Sequence, residues 1–366
     1  MMYKLKKYKE IFISIVVFIF QLVGYPILFS NTNLNDFIVN EIVFPLGNFF
    51  SKFTNSINFP FGELFYLLIL FFFIRLLYLL LKYSFKSNTI KRSQIILSIL
   101  VFINTFYFIY MFSWGIMYKK ETLTFDRETI HIDSKELKKI YCSELEKAIY
   151  SRNQINYGGE GVLKFQSSIQ DFNKDFYQLQ YKLKDLNWLK NYRFLENSHY
   201  KFSNISLLQN YLGILGYYNP FTIESNLNKY NTSIKQPSTL FHEYAHQMGF
   251  ASESEANFIA YYLGSYSKNY EVNYAVFYKS IYSLLAAIYK SDPYFVKNEI
   301  KNMNYNIKRD RDAEIKFYYK YEGGTSDVFF ELNNQFLKAN NQEGTVSYGK
   351  YVELIYKLYH KKSYLK

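Results

Sequence analysis

The stretch Thr239-Leu-Phe-His-Glu-Tyr-Ala-His-Gln-Met-Gly249 contains the pattern HExxH, formed by His242, Glu243 and His246. In a helix, residues four apart lie on one face one turn apart, so both imidazoles can reach a single metal ion at about 2.0 to 2.1 Å. A Glu beside them can take a proton from a water whose pKa zinc lowers toward about 7. The pattern therefore predicts a zinc site with Glu243 as the general base.

Helical structure is predicted for this stretch because its apolar residues recur at the spacing of one helix face. They are Leu240, Phe241, Tyr244, Ala245 and Met248. Pro237 suits the first helical position, and Gly249 suits the left-handed residue just past the last turn. We therefore expect a helix from about Pro237 to Met248, and the competing interpretation is an ordinary helix that carries HExxH by accident.

A zinc ion bound by two histidines needs a third protein ligand. The longer metzincin pattern would have a His at Ser252, so that class is excluded. The following segment predicts a second helix folded back on the first, and either Glu253 or Glu255 in its first turn could complete a His-His-Glu site. The periodicity of the segment does not separate them. Ser252-x-x-Glu255 is also a capping box, in which Glu255 would only bind backbone N–H groups.

Several motifs together resemble those of a bacterial family, domain of unknown function 3810. They are Asn219-Pro-Phe-Thr222, the HExxH run through Gly249, Glu253-x-Glu255-Ala-Asn257-Phe, Trp114-Gly-Ile-Met-Tyr118 and Ser347-Tyr348-Gly349. The resemblance covers most of the chain and departs from the expected pattern at Met117, where we would expect Asn.

Members of this family have membrane helices first and a metallopeptidase-like domain after them. By this resemblance, the Glu of Glu255-Ala-Asn257 is the favoured third zinc ligand. The activity of the family is not established, so the resemblance supports a peptidase and names no substrate.

Composition limits the classes of function. The chain has 366 residues and a net charge of +12, with 39 Tyr and 36 Phe. Its basic residues are dispersed and form no recognised nucleic-acid motif, so we expect no nucleic-acid partner. Cys142 is the sole cysteine, which excludes an internal disulfide. The length allows a membrane part and one soluble domain of about 250 residues with its own core.

Residues 1–118 are predicted to form a membrane domain with three transmembrane helices, at about 11–30, 61–82 and 93–118. A cleaved signal peptide is the alternative for the first span, but the two later spans argue against it. Arg75 lies toward the end of the second span that bears Lys82, where its side chain can extend to the headgroups; the alternative is a functional role within the membrane. Residues 119–366 are predicted to form the soluble domain.

The basic residues predict the orientation in the membrane. Four lysines lie within residues 4–9, and Lys82, Lys86, Lys91 and Arg92 lie between the second and third spans. Both regions should be cytoplasmic, although Lys119 and Lys120 oppose the rule mildly. The chain is thus expected to be a multi-pass protein of the cell (inner) membrane with a cytoplasmic N-terminus. Its C-terminal domain would be extracytoplasmic or periplasmic.

The soluble part shows helical spacing at 134–149, 172–189 and 272–289, and residues 119–133 read as a strand or a linker. Residues 221–227 alternate like a short strand just before the HExxH helix. We expect an edge strand there, with which an extended peptide substrate can pair. An ordinary hairpin that covers the core is the alternative.

The sequence therefore predicts N-terminal transmembrane α-helices followed by a mostly helical α+β, zincin-like domain. The expected function is a membrane-anchored zinc metallopeptidase that acts on a peptide or protein substrate, with Zn²⁺ as its cofactor. The alternative is a catalytically inactive, zinc-stabilised binding or sensor module. Intramembrane proteolysis is disfavoured because HExxH lies outside the apolar spans. The residue that stabilises the oxyanion is unassigned among Tyr348, His199 and Tyr274, and the sequence leaves the oligomeric state open.

Overall fold

Three long N-terminal helices open the computed structural model, which describes residues 2–120, 131–155, 162–196, 199–340 and 348–360. Helix α1 is Met2–Leu28, α4 is Phe61–Phe85 and α5 is Thr89–Ser113. Lys7–Leu28 of α1 and the whole of α4 and α5 are long and apolar enough to cross a membrane. Each exceeds the roughly 20 apolar residues that a bilayer requires. The three apolar helices are therefore compatible with membrane association.

Short helices occupy the connection between the first two candidate spans. Helix α2 is Thr32–Ile38, followed by a π-helical turn at Val39–Val43 and by α3 at Phe44–Asn55. The side chain of Asn31 caps α2 by accepting a hydrogen bond from the Leu34 N–H, 3.0 Å long. This connection is thus helical rather than an irregular loop.

The chain divides into two compact units. The first contains Met1–Glu121 together with Asn219–Ile223, a segment that the sequence predicts to lie in the second domain. Within this unit the ring of Phe221 packs against the rings of Phe65 and Phe106, with centroids 5.3 and 5.2 Å apart. Aromatic contacts at this distance contribute about 0.5 to 1.5 kcal/mol each beyond the burial of apolar area. Phe221 therefore ties the segment to the apolar helices of this unit.

The second unit contains Thr122–Tyr218 and Glu224–Lys366. Its described residues form ten α-helices, a 3₁₀ helix at Gln180–Asp185 and a small sheet. Most of the segment 119–133, which the sequence predicts to be a strand or a linker, lies outside the described residues. The helices are α6 Ser134–Asn153, α7 Ile169–Leu179, α8 Ser206–Leu212, α9 Lys235–Gln247, α10 Glu253–Ser265, α11 Tyr270–Tyr289, α12 Pro293–Lys301, α13 Tyr305–Tyr319, α14 Gly324–Ala339 and α15 Tyr348–His360.

Three short strands form the sheet: β1 Tyr200–Phe202, β2 Gly216–Asn219 and β3 Glu224–Leu227. Their order is β1-β3-β2, and β1 pairs in parallel with β3. The prediction of an edge strand at 221–227 was therefore wrong in position. Only 224–227 is a strand, and it lies in the centre of the sheet, whereas β2 lies at one edge. Alternation in a sequence cannot separate these cases, because central and edge strands share the same period of two.

The HExxH helix α9 lies in the core of this unit. All five residues of its predicted apolar stripe are completely buried, which confirms the helical periodicity. Phe176 of α7 packs on the rings of Phe241 and Tyr244, with centroids 5.1 and 4.9 Å apart. Complete burial of a large apolar side chain stabilises a fold by about 1.5 to 3 kcal/mol. The stripe therefore fixes the rotation of α9, and with it the directions of both histidines.

Helix α9 begins two residues before the predicted Pro237, at Lys235. Pro237 thus occupies the third helical position, which is tolerated because the first four N–H groups of a helix have no acceptor within it. At the other end Gly249 has a φ of 102°, as predicted for the residue past the last turn. The Phe250 N–H then donates to the Ala245 carbonyl, 3.1 Å away. This left-handed turn directs the chain back toward α9 as α10 begins.

Candidate metal centre

The two histidines of α9 face each other at their Nε2 atoms, which are 3.1 Å apart. Their rings are nearly perpendicular, with centroids 4.5 Å apart. The opposite nitrogen of His246, Nδ1, lies 2.7 Å from the Phe250 carbonyl. Because a carbonyl only accepts, Nδ1 carries a proton, and in the neutral imidazole Nε2 therefore presents the lone pair. Such an outer hydrogen bond is the usual means of orienting a metal-binding histidine.

The third member of the cluster is Glu253, the first residue of α10. Its Oε2 lies 3.2 Å from His242 Nε2, and its Oε1 lies 3.6 Å from His246 Nε2. One ligand atom from each of these three residues falls within 4.8 Å of the other two. Among the described residues, this is the one group of three or more His, Cys, Asp or Glu side chains with that property.

Glu253 replaces Glu255, the ligand favoured from sequence, as the candidate third ligand. Glu255 is not part of the cluster of ligand atoms. Residues two apart on a helix point about 200° away from each other, so only one of the two carboxylates can face α9. The capping box proposed as the alternative role of Glu255 is not formed by Ser252, whose side chain makes no cap hydrogen bond.

Glu243 is buried beside the histidines and lies against strand β2. A hydrogen bond from the backbone of Tyr218 reaches its carboxylate. Gly216 approaches so closely that a Cβ there would lie 3.0 Å from Glu243 Oε1. Burial raises the pKa of Glu243 to about 8, a shift that His246 opposes and Glu253 reinforces. A carboxyl group with its pKa near neutrality is well suited to accept and return a proton.

The pKa values of the two histidines and of Glu253 depend on one another. Burial lowers the pKa of His242 to about 4, and the charge of His246 acts in the same direction. Burial also lowers the pKa of His246, but the hydrogen bond and charge of Glu253 outweigh it and raise that pKa to about 9. Burial raises the pKa of Glu253, yet its hydrogen bonds to both histidines hold it well below its usual range. A divalent cation would bind here in competition with the His246 proton.

A lysine that the motifs do not include lies close to this cluster. Asn257 follows Glu253 by four residues, so the two share a face of α10. Its Oδ1 accepts a hydrogen bond from the Lys279 ammonium of α11. Burial lowers the pKa of Lys279 to about 8; Lys235 adds to this effect, and the carboxylates of Glu253 and Glu243 oppose it. One feature could have drawn attention to Lys279 beforehand: it is the sole basic residue in the otherwise largely buried α11.

An open cavity of about 1080 Å³ reaches the cluster. Glu253 and Lys235 are among its lining residues, together with tyrosines of α13 and phenylalanines of α14. Lys235 also pairs with Glu314, at 3.4 Å between Nζ and Oε1. The cavity therefore connects the candidate ligand Glu253 with a lining of aromatic and charged groups.

Three residues were considered from sequence for stabilising an oxyanion. The hydroxyl of Tyr274 is buried and donates to Asp310, 3.0 Å away, within the network of Arg152. His199 is exposed, at the start of the segment that forms β1. The Tyr348 side chain lies outside the described residues. Among the described residues, neither Tyr274 nor His199 belongs to the cluster of ligand atoms.

The comparisons with known proteins support one assignment. No curated protein matches this chain. No solved structure matches it either. A family model described as "Protein of unknown function (DUF3810)" matches residues 39–356, which include parts of both units and every residue of the cluster. The chain belongs to the DUF3810 family.

Proposed function

We propose that this protein is a membrane-anchored zinc metallopeptidase with a zincin-like domain, whose ligands are His242, His246 and Glu253. The observation that carries the proposal is the spacing of their ligand atoms, at 3.1, 3.2 and 3.6 Å. Bonds of about 2.05 Å in a tetrahedral zinc site place neighbouring ligand atoms about 3.3 Å apart. The donor set therefore fits zinc in size as well as in chemistry, and three protein ligands leave the fourth position open for catalysis.

Zinc bound by these residues would act as a Lewis acid and lower the pKa of a water toward about 7. Glu243 would take the proton of that water, whose oxygen then attacks the peptide carbonyl carbon. Glu243 would next pass the proton to the leaving nitrogen as the C–N bond breaks. Its burial and its place directly after His242 suit both transfers.

A peptide is the proposed substrate because β2 lies at the sheet edge beside Glu243. An extended chain can pair with such an edge by backbone hydrogen bonds, and its side chains remain free to enter neighbouring pockets. The cavity lined by Glu253 and Lys235 is large enough for several side chains. The basic residues near the first two spans favour an extracytoplasmic location for this reaction.

Glu243→Gln tests the proposal in the full chain, purified in detergent and loaded with zinc. A library of short peptides is incubated with the protein, and new termini are identified by mass spectrometry. We expect cleavage by the wild type and a loss of about 10²- to 10⁴-fold in rate for the variant, with zinc retained. Absence of cleavage by the wild type would favour the binding or sensor module instead. Unchanged cleavage by the variant would show that Glu243 is not the general base.

A further inference from the structure

Lys279 lies on α11, a helix that carries none of the metal ligands, and is hydrogen-bonded to the helix that carries Glu253. Its ammonium donates to Asn257 Oδ1, and Asn257 lies one turn of α10 after Glu253. Side chains at this spacing have Cβ atoms about 5 to 6 Å apart. The ammonium of Lys279 is thus held by a residue that lies one helical turn from the third ligand. Its electrostatic effect extends to Glu253, Glu243 and His242.

The ammonium of Lys279 has bonding capacity to spare. A lysine ammonium carries three N–H donors, and one of them is used by Asn257. Within the part of the chain that the structure describes, Lys279 forms no ion pair with a carboxylate at 4.0 Å or less. A half-buried cation without a paired anion is costly, because burial removes part of its hydration. Two donors therefore remain for an anionic group that enters the site.

A purely structural role accounts less well for these facts. A lysine that served only to bind an amide oxygen would be replaceable by a neutral donor, without the cost of partial burial. The second cation nearby, Lys235, makes burial of Lys279 more unfavourable rather than less. Lys235 has a carboxylate partner in Glu314, whereas Lys279 has an amide. The charge of Lys279 is therefore available to an anion that approaches the metal ligands.

We propose that Lys279, held by Asn257, binds a negatively charged oxygen of the peptide substrate next to the bond that is cleaved. This inference rests on the proposed peptidase function and identifies the electrophilic residue that the sequence left unassigned. The anionic oxygen has two possible sources: the carbonyl oxygen, which becomes negative during attack, or the terminal carboxylate of a short peptide. In both cases Lys279 donates a hydrogen bond and keeps its proton, while Glu243 carries the transferred proton.

The first measurement is binding rather than turnover. A phosphinic peptide, whose tetrahedral anionic group imitates the attacked carbonyl, is titrated calorimetrically into the zinc-loaded full chain. Lys279→Gln should retain zinc and weaken this binding by about 10- to 100-fold, as expected for loss of a charged hydrogen bond. Lys279→Arg should restore part of it. Lys290→Gln, an exposed position at the end of the same helix, is the matched control and should bind as the wild type does.

The second measurement distinguishes the two sources of the anion. One peptide that the wild type cleaves is compared with its C-terminally amidated form. If Lys279 binds the developing oxyanion, Lys279→Gln lowers kcat for both forms. If it binds the terminal carboxylate, the variant raises KM for the free acid alone, and the wild type prefers that form. Either result supports an anion-binding role.

Unchanged phosphinic peptide binding and unchanged kinetics in Lys279→Gln would overturn this inference while the peptidase proposal stands. Failure of the wild type to bind or cleave any peptide would overturn the peptidase proposal itself. If Lys279→Gln does not fold, Asn257→Ala replaces it, because it keeps the charge and removes the tether. That variant should bind the phosphinic peptide more weakly than the wild type, and equal binding would reject the role assigned to Asn257 and Lys279.

Discussion

Gly216 of strand β2 and Glu243 of helix α9 lie so close together that no side chain fits between them. A Cβ at position 216 would lie 3.0 Å from Glu243 Oε1, 3.0 Å from the Asn226 carbonyl and 2.8 Å from Thr239 Cγ2. The backbone of the edge strand can therefore run directly beside the candidate general base. The same spacing couples the position of Glu243 to that of β2.

Gly216→Ala should destabilise the protein by about 1 to 3 kcal/mol, because the added methyl group meets a backbone carbonyl that cannot move alone. The melting temperature of the full chain in detergent measures this effect. Gly324→Ala is the control, since a Cβ there meets nothing within 4 Å. We expect Gly216→Ala also to lose peptidase activity while it still binds zinc. A variant as stable and active as the wild type would show that β2 does not position Glu243.

The double substitution of His242→Ala and His246→Ala should abolish zinc binding, because it removes both nitrogen ligands of the cluster. The wild type should hold about one zinc per chain after purification and dialysis. Metal content is measured by atomic emission, with melting temperature as a check that the variant folds. Stoichiometric zinc in the folded double variant would show that the metal binds elsewhere or binds adventitiously.

Loss of a residue that supports a metal ligand weakens metal affinity by roughly 10- to 100-fold. Glu253→Ala should weaken zinc affinity by more than this, because it removes a charged ligand itself. Glu255→Ala is the matched control on the same helical turn. It should stay fully loaded, because the Glu255 carboxylate is not part of the cluster of ligand atoms. Zinc affinity is measured by competition with a chelator of known strength. The reverse pattern would restore Glu255 as the third ligand.

Membrane orientation is predicted from the basic residues near the first two spans. A reporter enzyme that is active only outside the cytoplasm should be active when fused after Lys366 and inactive when inserted near Asn88. A second reporter, fluorescent only in the cytoplasm, should give the opposite result at both positions. Activity of the first reporter at Asn88 alone would place the candidate metal centre in the cytoplasm and change the class of substrates it meets.

The sequence by itself determined the features that depend on local spacing. HExxH brings two histidines to one face because the period of a helix is local, and the buried stripe of α9 follows from the same period. Gly249 was predictable as a left-handed residue for the same local reason. The three apolar helices were recognisable because the thickness of a bilayer sets a minimum length for an apolar run.

The tertiary structure decided what depends on how the elements pack. Glu253 and Glu255 are equivalent in a periodic pattern, and only the angle at which α10 leaves the turn at Gly249 brings Glu253 to the histidines. The edge strand beside Glu243 is β2 rather than β3, because strand order depends on pairing between distant segments. Lys279 of α11 is hydrogen-bonded to Asn257 of α10, and no spacing along the chain relates it to HExxH. Contacts between helices, not repeats within them, therefore complete this site.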